Sequence, residues 1–86
     1  MKIKSEYITH IIDDTQYLIG VGKNAFHGIV RNNQTAAFIV DQLKTETTKE
    51  QVVAAVLDQY EADPAQVSAD VDMVIEKLRG IGALDE

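Results

Sequence analysis

Hydrophobic and polar positions alternate through the first third of the chain and then change to helical spacing. Tyr7-Ile8-Thr9-His10-Ile11-Ile12 and Gln16-Tyr17-Leu18-Ile19-Gly20-Val21 are rich in β-branched and aromatic residues, which suit a pleated, half-buried surface. Asp13-Asp14-Thr15 lies between them, and short polar side chains of this kind support a tight turn, so the two segments read as a hairpin. Gly22-Lys23-Asn24 is again turn chemistry. A third strand is expected over Ala25-Phe26-His27-Gly28-Ile29-Val30-Arg31, with Phe26, Gly28 and Val30 on one face and His27, Ile29 and Arg31 on the other.

Beyond Asn32-Asn33, which supplies an N-cap placed at Asn33, the apolar residues recur every three or four positions. Ala36, Ile39, Val40 and Leu43 share one face of a helix expected from about Gln34 to Leu43. Thr47-Thr48-Lys49-Glu50-Gln51 fits a capping box in two registers, Thr47 with Glu50 or Thr48 with Gln51. The stripe Val52, Val53, Val56, Leu57 and Tyr60 then predicts a second helix ending near Tyr60. Asp63-Pro64-Ala65-Gln66 places an acceptor at N-cap, proline at the first helical position and glutamine at N3. Val67, Val71, Val74, Leu78 and Ile81 give the third helix its stripe, with Ile75, Met73, Asp70 and Lys77 on its flanks, and Gly80 and Gly82 stop it. Three strands followed by three helices form a segregated pattern. The expected fold is therefore one α+β domain over residues 1–86, its helices packed on one side of a three-stranded antiparallel sheet.

Composition and charge narrow the function more than they name it. With 45% apolar residues and no low-complexity tract, the chain is expected to fold rather than to remain a disordered tail. The absence of cysteine removes thiolate metal sites, disulfides and cysteine nucleophiles. No apolar run has the length of a membrane span, and the opening Met1-Lys2-Ile3-Lys4-Ser5-Glu6 has no signal-peptide character, so the expected location is cytoplasmic, away from the membrane. A formal charge of −6 repels phosphate backbones and anionic lipid, which argues against a nucleic-acid partner.

A resemblance enters at Gly28-Ile29-Val30-Arg31-Asn32-Asn33-Gln34-Thr35-Ala36-Ala37-Phe38-Ile39-Val40-Asp41-Gln42-Leu43. This string resembles the middle of PqqD-like proteins, the coenzyme PQQ synthesis protein D family. The likeness continues through the Thr47-Thr48 cap, Tyr60-Glu61-Ala62-Asp63, the Asp70-Val71 pair and the closing Leu78-Arg79-Gly80-Ile81-Gly82-Ala83-Leu84. The chain departs from the usual pattern at three positions: Asn32 stands for leucine, Ala36 for glycine and Val40 for tryptophan.

The resemblance implies a small winged-helix-like domain that captures the leader segment of a ribosomally made precursor peptide and presents it to a maturation enzyme, typically a radical S-adenosylmethionine enzyme. It implies that the leader adds as a strand to the third strand, beside the third helix, which is β-augmentation. The residues it marks for peptide binding are Phe26, His27, Gly28, Ile29, Val30 and Arg31 on the strand, with Asp70, Met73, Val74 and Lys77 on the helix. Without the resemblance, the same strand reads as one whose edge is covered by a loop or by a second copy of the chain.

Other chemistries find no support in the residues. His10 and His27 have neither HExxH-type spacing nor cysteines to complete a metal site. The acidic residues read as turns, caps and wet helix faces, without an adjacent base for catalysis, so no enzymatic activity and no cofactor are expected. Gly20-Val21-Gly22 lacks the third glycine and the βαβ setting of a nucleotide loop. The rival readings are a winged-helix DNA-binding domain, which lacks a basic stripe, and an accessory subunit that grips a folded partner through the same edge.

Overall fold

The computed structural model describes residues 1–23 and 28–86. A short strand β1 (Lys2–Ile3) leads into the hairpin β2 (Tyr7–Ile12) and β3 (Thr15–Gly20), and β4 (Ile29–Asn32) completes an antiparallel sheet in the order β2-β3-β4. Helices α1 (Gln34–Gln42), α2 (Lys49–Gln59) and α3 (Pro64–Gly80) follow, and β5 (Leu84–Asp85) pairs with β1 as a separate two-stranded clasp. The expected three strands and three helices are therefore all present. The clasp is an addition that two-residue strands give no periodicity to announce.

Each element has a local cause. In the β2–β3 hairpin Ile12 pairs with Thr15, leaving Asp13 and Asp14 as a two-residue loop with φ of 51° and 65°. Positive φ at both positions is the geometry that matches the strand twist, and aspartate tolerates it better than most residues. All three helices begin on the expected caps. Asn33 accepts from the Ala36 amide, Asp63 accepts from the Ala65 amide with Pro64 behind it, and Thr48 rather than Thr47 forms the capping box with Gln51. Gly82 ends the last helix with a φ of 72°, where a side chain would be strained.

Residues alternate across the sheet. Leu18 and Val30 pair and are buried against the helices, whereas Ile29 and Arg31 point to the opposite, solvated face. α1 lies against β3 and β4, and α3 packs on α1, α2 and β5. The core of α3 is Val67, Val71, Ile75 and Leu78. This corrects the expected stripe: Ile75 is buried at 5% exposure, and Val74 sits at the border of the core, half-buried. The helix is wedged between several neighbours, so its buried arc is wide and centred one residue away from the four-three pattern.

Two buried polar residues are tied together beneath the sheet. The Asn32 amide donates to Gln16 Oε1 at 2.8 Å, and the Gln16 amide donates to Asp41 Oδ1 on α1 at 3.0 Å. At the other end of the sheet, the buried Tyr7 hydroxyl donates to the Ile81 carbonyl at 2.9 Å, joining β2 to the end of α3. Replacing Gln16 by alanine is expected to leave the buried Asn32 amide unpaired and to lower the unfolding free energy by about 1–3 kcal/mol. Changing Gln16 and Asn32 together to leucine should cost less than Gln16→Ala alone, because no polar group is then left stranded. Urea denaturation of the wild type and the two variants checks the ordering.

Candidate functional site

β4 is the third strand of its sheet and pairs only with β3 among the described residues, so its outer edge carries backbone groups not engaged in the sheet. Opposite that edge stands α3, and α1 passes beneath both. The result is a groove of about 160 Å³. Val30 and Asn32 of β4 form one wall, with Arg31 at its edge, and Met73, Val74, Lys77 and Leu78 of α3 form the other. Asn33, Ala36 and Val40 supply the floor and the end nearest the start of α1.

Burial grades across the groove. Val40 and Leu78 are buried at its base, Val30 closes the strand side, Val74 is half-buried, and Met73 stands 70% exposed on the rim. No carboxylate is among the lining residues, whereas Arg31 and Lys77 are. Neither cation takes part in any of the ion pairs among the described residues, which engage Lys44 with Asp41, Lys49 with Asp72, Arg79 with Glu76 and Glu86, and the Met1 ammonium with Glu46. Arg79 is thus neutralised by its own helix and by Glu86, and Lys49 by α3, so the helices present no continuous basic stripe of the kind DNA needs. Among the described residues, no group of acidic or histidine side chains could hold a metal ion.

The displaced ionisable groups lie away from the groove. A hydrogen bond from the Met1 ammonium holds the Glu46 carboxyl below its usual range, and one from Arg79 does the same for Glu86. The Arg79 guanidinium is correspondingly raised by its hydrogen bond to Glu86.

The residues marked in the sequence come together in part. Ile29, Val30 and Arg31 form β4, and Val30 and Arg31 meet Met73, Val74 and Lys77 across the groove. Gly28 precedes the strand, and Phe26 and His27 lie outside the described residues, as does most of the stretch over which the strand was expected to begin. Asp70 does not line the groove; its carboxylate accepts from Gln66 Nε2 at 2.9 Å. The reading missed the contribution of α1 altogether. Asn32, Ala36 and Val40, the three departures from the family pattern, all face this one cavity, a convergence visible only in the folded chain.

The family model for coenzyme PQQ synthesis protein D (PqqD) matches residues 18–84, a stretch that contains β4, the three helices and every described residue of the groove. The chain belongs to the PqqD family. No curated protein matches this PqqD-family chain significantly. Its fold is similar to that of TbiB1 in complex with the TbiA(β) leader peptide, with a TM-score of 0.80 and 21% identity over 99% of this chain and 95% of that one. It is also similar to lasso peptide synthetase B1 complexed with the leader peptide, with a TM-score of 0.75 and 20% identity over 95% and 93% of the two chains. At this identity the likeness establishes the fold. No described helix of the PqqD-family chain is long and apolar enough to cross a membrane.

The burial gradient makes a stability prediction. Met73→Ala is expected to change the unfolding free energy by no more than about 0.5 kcal/mol, as for a side chain with little packing. Leu78→Ala, at the buried base of the groove, should cost about 2–5 kcal/mol. Chemical denaturation of both variants would show a rim and a base of the groove rather than one continuous core.

Proposed function

We propose that this PqqD-family domain binds the leader segment of a ribosomally synthesised precursor peptide by strand addition to β4 and presents it to a modifying enzyme. The observation that carries the reading is the edge of β4, unpaired among the described residues, standing beside an apolar groove. An extended peptide on that edge gains main-chain hydrogen bonds, and every second side chain turns toward α3. A cavity of about 150 Å³ is large enough to hold a ring the size of benzene, so the groove suits one large apolar side chain of the peptide, seated on Val30, Val40, Val74 and Leu78. Family membership and the leader-bound state of both similar structures support the same assignment.

In this reading the domain contributes affinity and the enzyme contributes chemistry. Holding the leader raises the local concentration of the attached core peptide at the maturase, which increases occupancy without any new contact at the reacting bond. The family resemblance suggests a radical S-adenosylmethionine enzyme as the partner class. A second copy of the chain pairing through β4 would compete for the same edge.

Titration of isotope-labelled domain with synthetic leaders from short reading frames adjacent to its gene is expected to give saturable NMR shifts on Ile29–Asn32 and on Met73 to Lys77. N-methylation of alternate peptide bonds should weaken binding at every second position only, since alternate amides point toward β4. Saturable shifts confined to the far side of α2, or binding indifferent to N-methylation, would rule out strand addition.

A further inference from the structure

Strand addition has a consequence for the peptide side chains that do not enter the groove. Resting on that reading, we infer that the peptide recognised here carries a large apolar residue flanked on one side by a carboxylate and on the other by a β-branched apolar residue. The argument is one of register. β4 presents Val30 to the groove and Ile29 and Arg31 to the outer face, so a strand paired with it places the neighbours of its anchor on the outer face beside those two residues.

Each of these positions continues a row that already crosses the sheet. Ile8 pairs with Ile19, and Ile19 with Ile29, giving an apolar row whose last member is 65% exposed. His10 pairs with Tyr17, and Tyr17 with Arg31, giving a second row that ends on a guanidinium. Both rows stop at the β4 edge. A fourth strand extends the first with a β-branched residue against Ile29 and the second with a carboxylate against Arg31, which can take it in bidentate fashion. Lys77 on the opposite rim adds a second positive charge along the peptide path, and no lining carboxylate opposes an acidic ligand. The domain as a whole is acidic, at −6, so a basic leader would be drawn by its mean field. Arg31 and Lys77 have the reverse preference, and they act at contact distance, where pairing is least screened. If the added strand runs antiparallel to β4, the order from its N-terminus is carboxylate, anchor, β-branched residue; if parallel, the reverse.

The test is selection of fully randomised displayed peptides on the intact domain, with Val74→Arg and Met73→Arg as groove-blocked comparators and Arg31→Glu as the charge-reversed one, each confirmed folded by NMR. Peptides enriched on the wild type and lost on both blocked variants are expected to carry the triad. On Arg31→Glu the acidic position should turn basic while the anchor is retained. Binding by fluorescence polarisation of one selected peptide and its Glu-to-Lys counterpart should show a preference of about three- to tenfold that inverts with Arg31→Glu. Enrichment of anchored peptides without an acidic preference, or with one that Arg31→Glu leaves unchanged, would overturn the triad and leave strand addition standing. Failure to enrich anything above the blocked variants would overturn both.

Discussion

α3 must bury an apolar face too wide for any single neighbour to cover. Val67, Val71, Ile75 and Leu78 satisfy it by packing among α1, α2 and the β5 segment, while the sheet rests chiefly on α1. α1 therefore serves both layers, with Ile39 and Val40 fully buried between them. The spacing between β4 and α3 is set by the thickness of α1 and by the size of its residues at Ala36 and Val40, and a groove is what remains when those residues are small. The same packing that stabilises the domain thus sets the width of its open side.

Charge is organised on a finer scale than the net value conveys. Most carboxylates sit on caps, turns and outer helix faces; of those near α3, Asp72 engages Lys49, and Glu76 and Glu86 engage Arg79. The cations left without partners among the described residues include the two that line the groove. Over a distance greater than roughly 8–10 Å at physiological salt the acidic surface is screened, so a peptide in the proposed position would respond to Arg31 and Lys77 more than to the total. An acidic protein can in this way keep an acid-tolerant site.

Local chemistry made most of the fold legible in the sequence. The Asp13-Asp14 turn, the caps at Asn33 and Asp63, and the stripes of α1 and α2 are decided by a few neighbouring residues, and the structure has them where the residue types place them, while of the two capping registers open at α2 it takes Thr48 with Gln51. What depends on third parties was harder to read. Val74 and Ile75 differ by one step around the helix, and only the arrangement of neighbours decides which is interior. β1 and β5 find each other from opposite ends of the numbering, and strands of two residues leave no alternation to detect. The candidate site followed the same division. The strand and α3 residues were accessible through pattern and resemblance, whereas Asn32, Ala36 and Val40 each had a sufficient local explanation as a cap neighbour or a core residue, and only their convergence identifies them as a surface.

The hydrogen-bonded chain from Asn32 through Gln16 to Asp41 fastens the last residue of β4 to the central strand and to α1. On the proposed strand addition, an edge held in this way has little freedom left to lose. The entropy of forming a complex then falls mainly on the incoming peptide, and a leader that is already extended in solution would be favoured over a flexible one of equal contact area. Because the edge is shaped in advance, encounter rates for related leaders should differ little, and discrimination among them should reside in how long each remains bound.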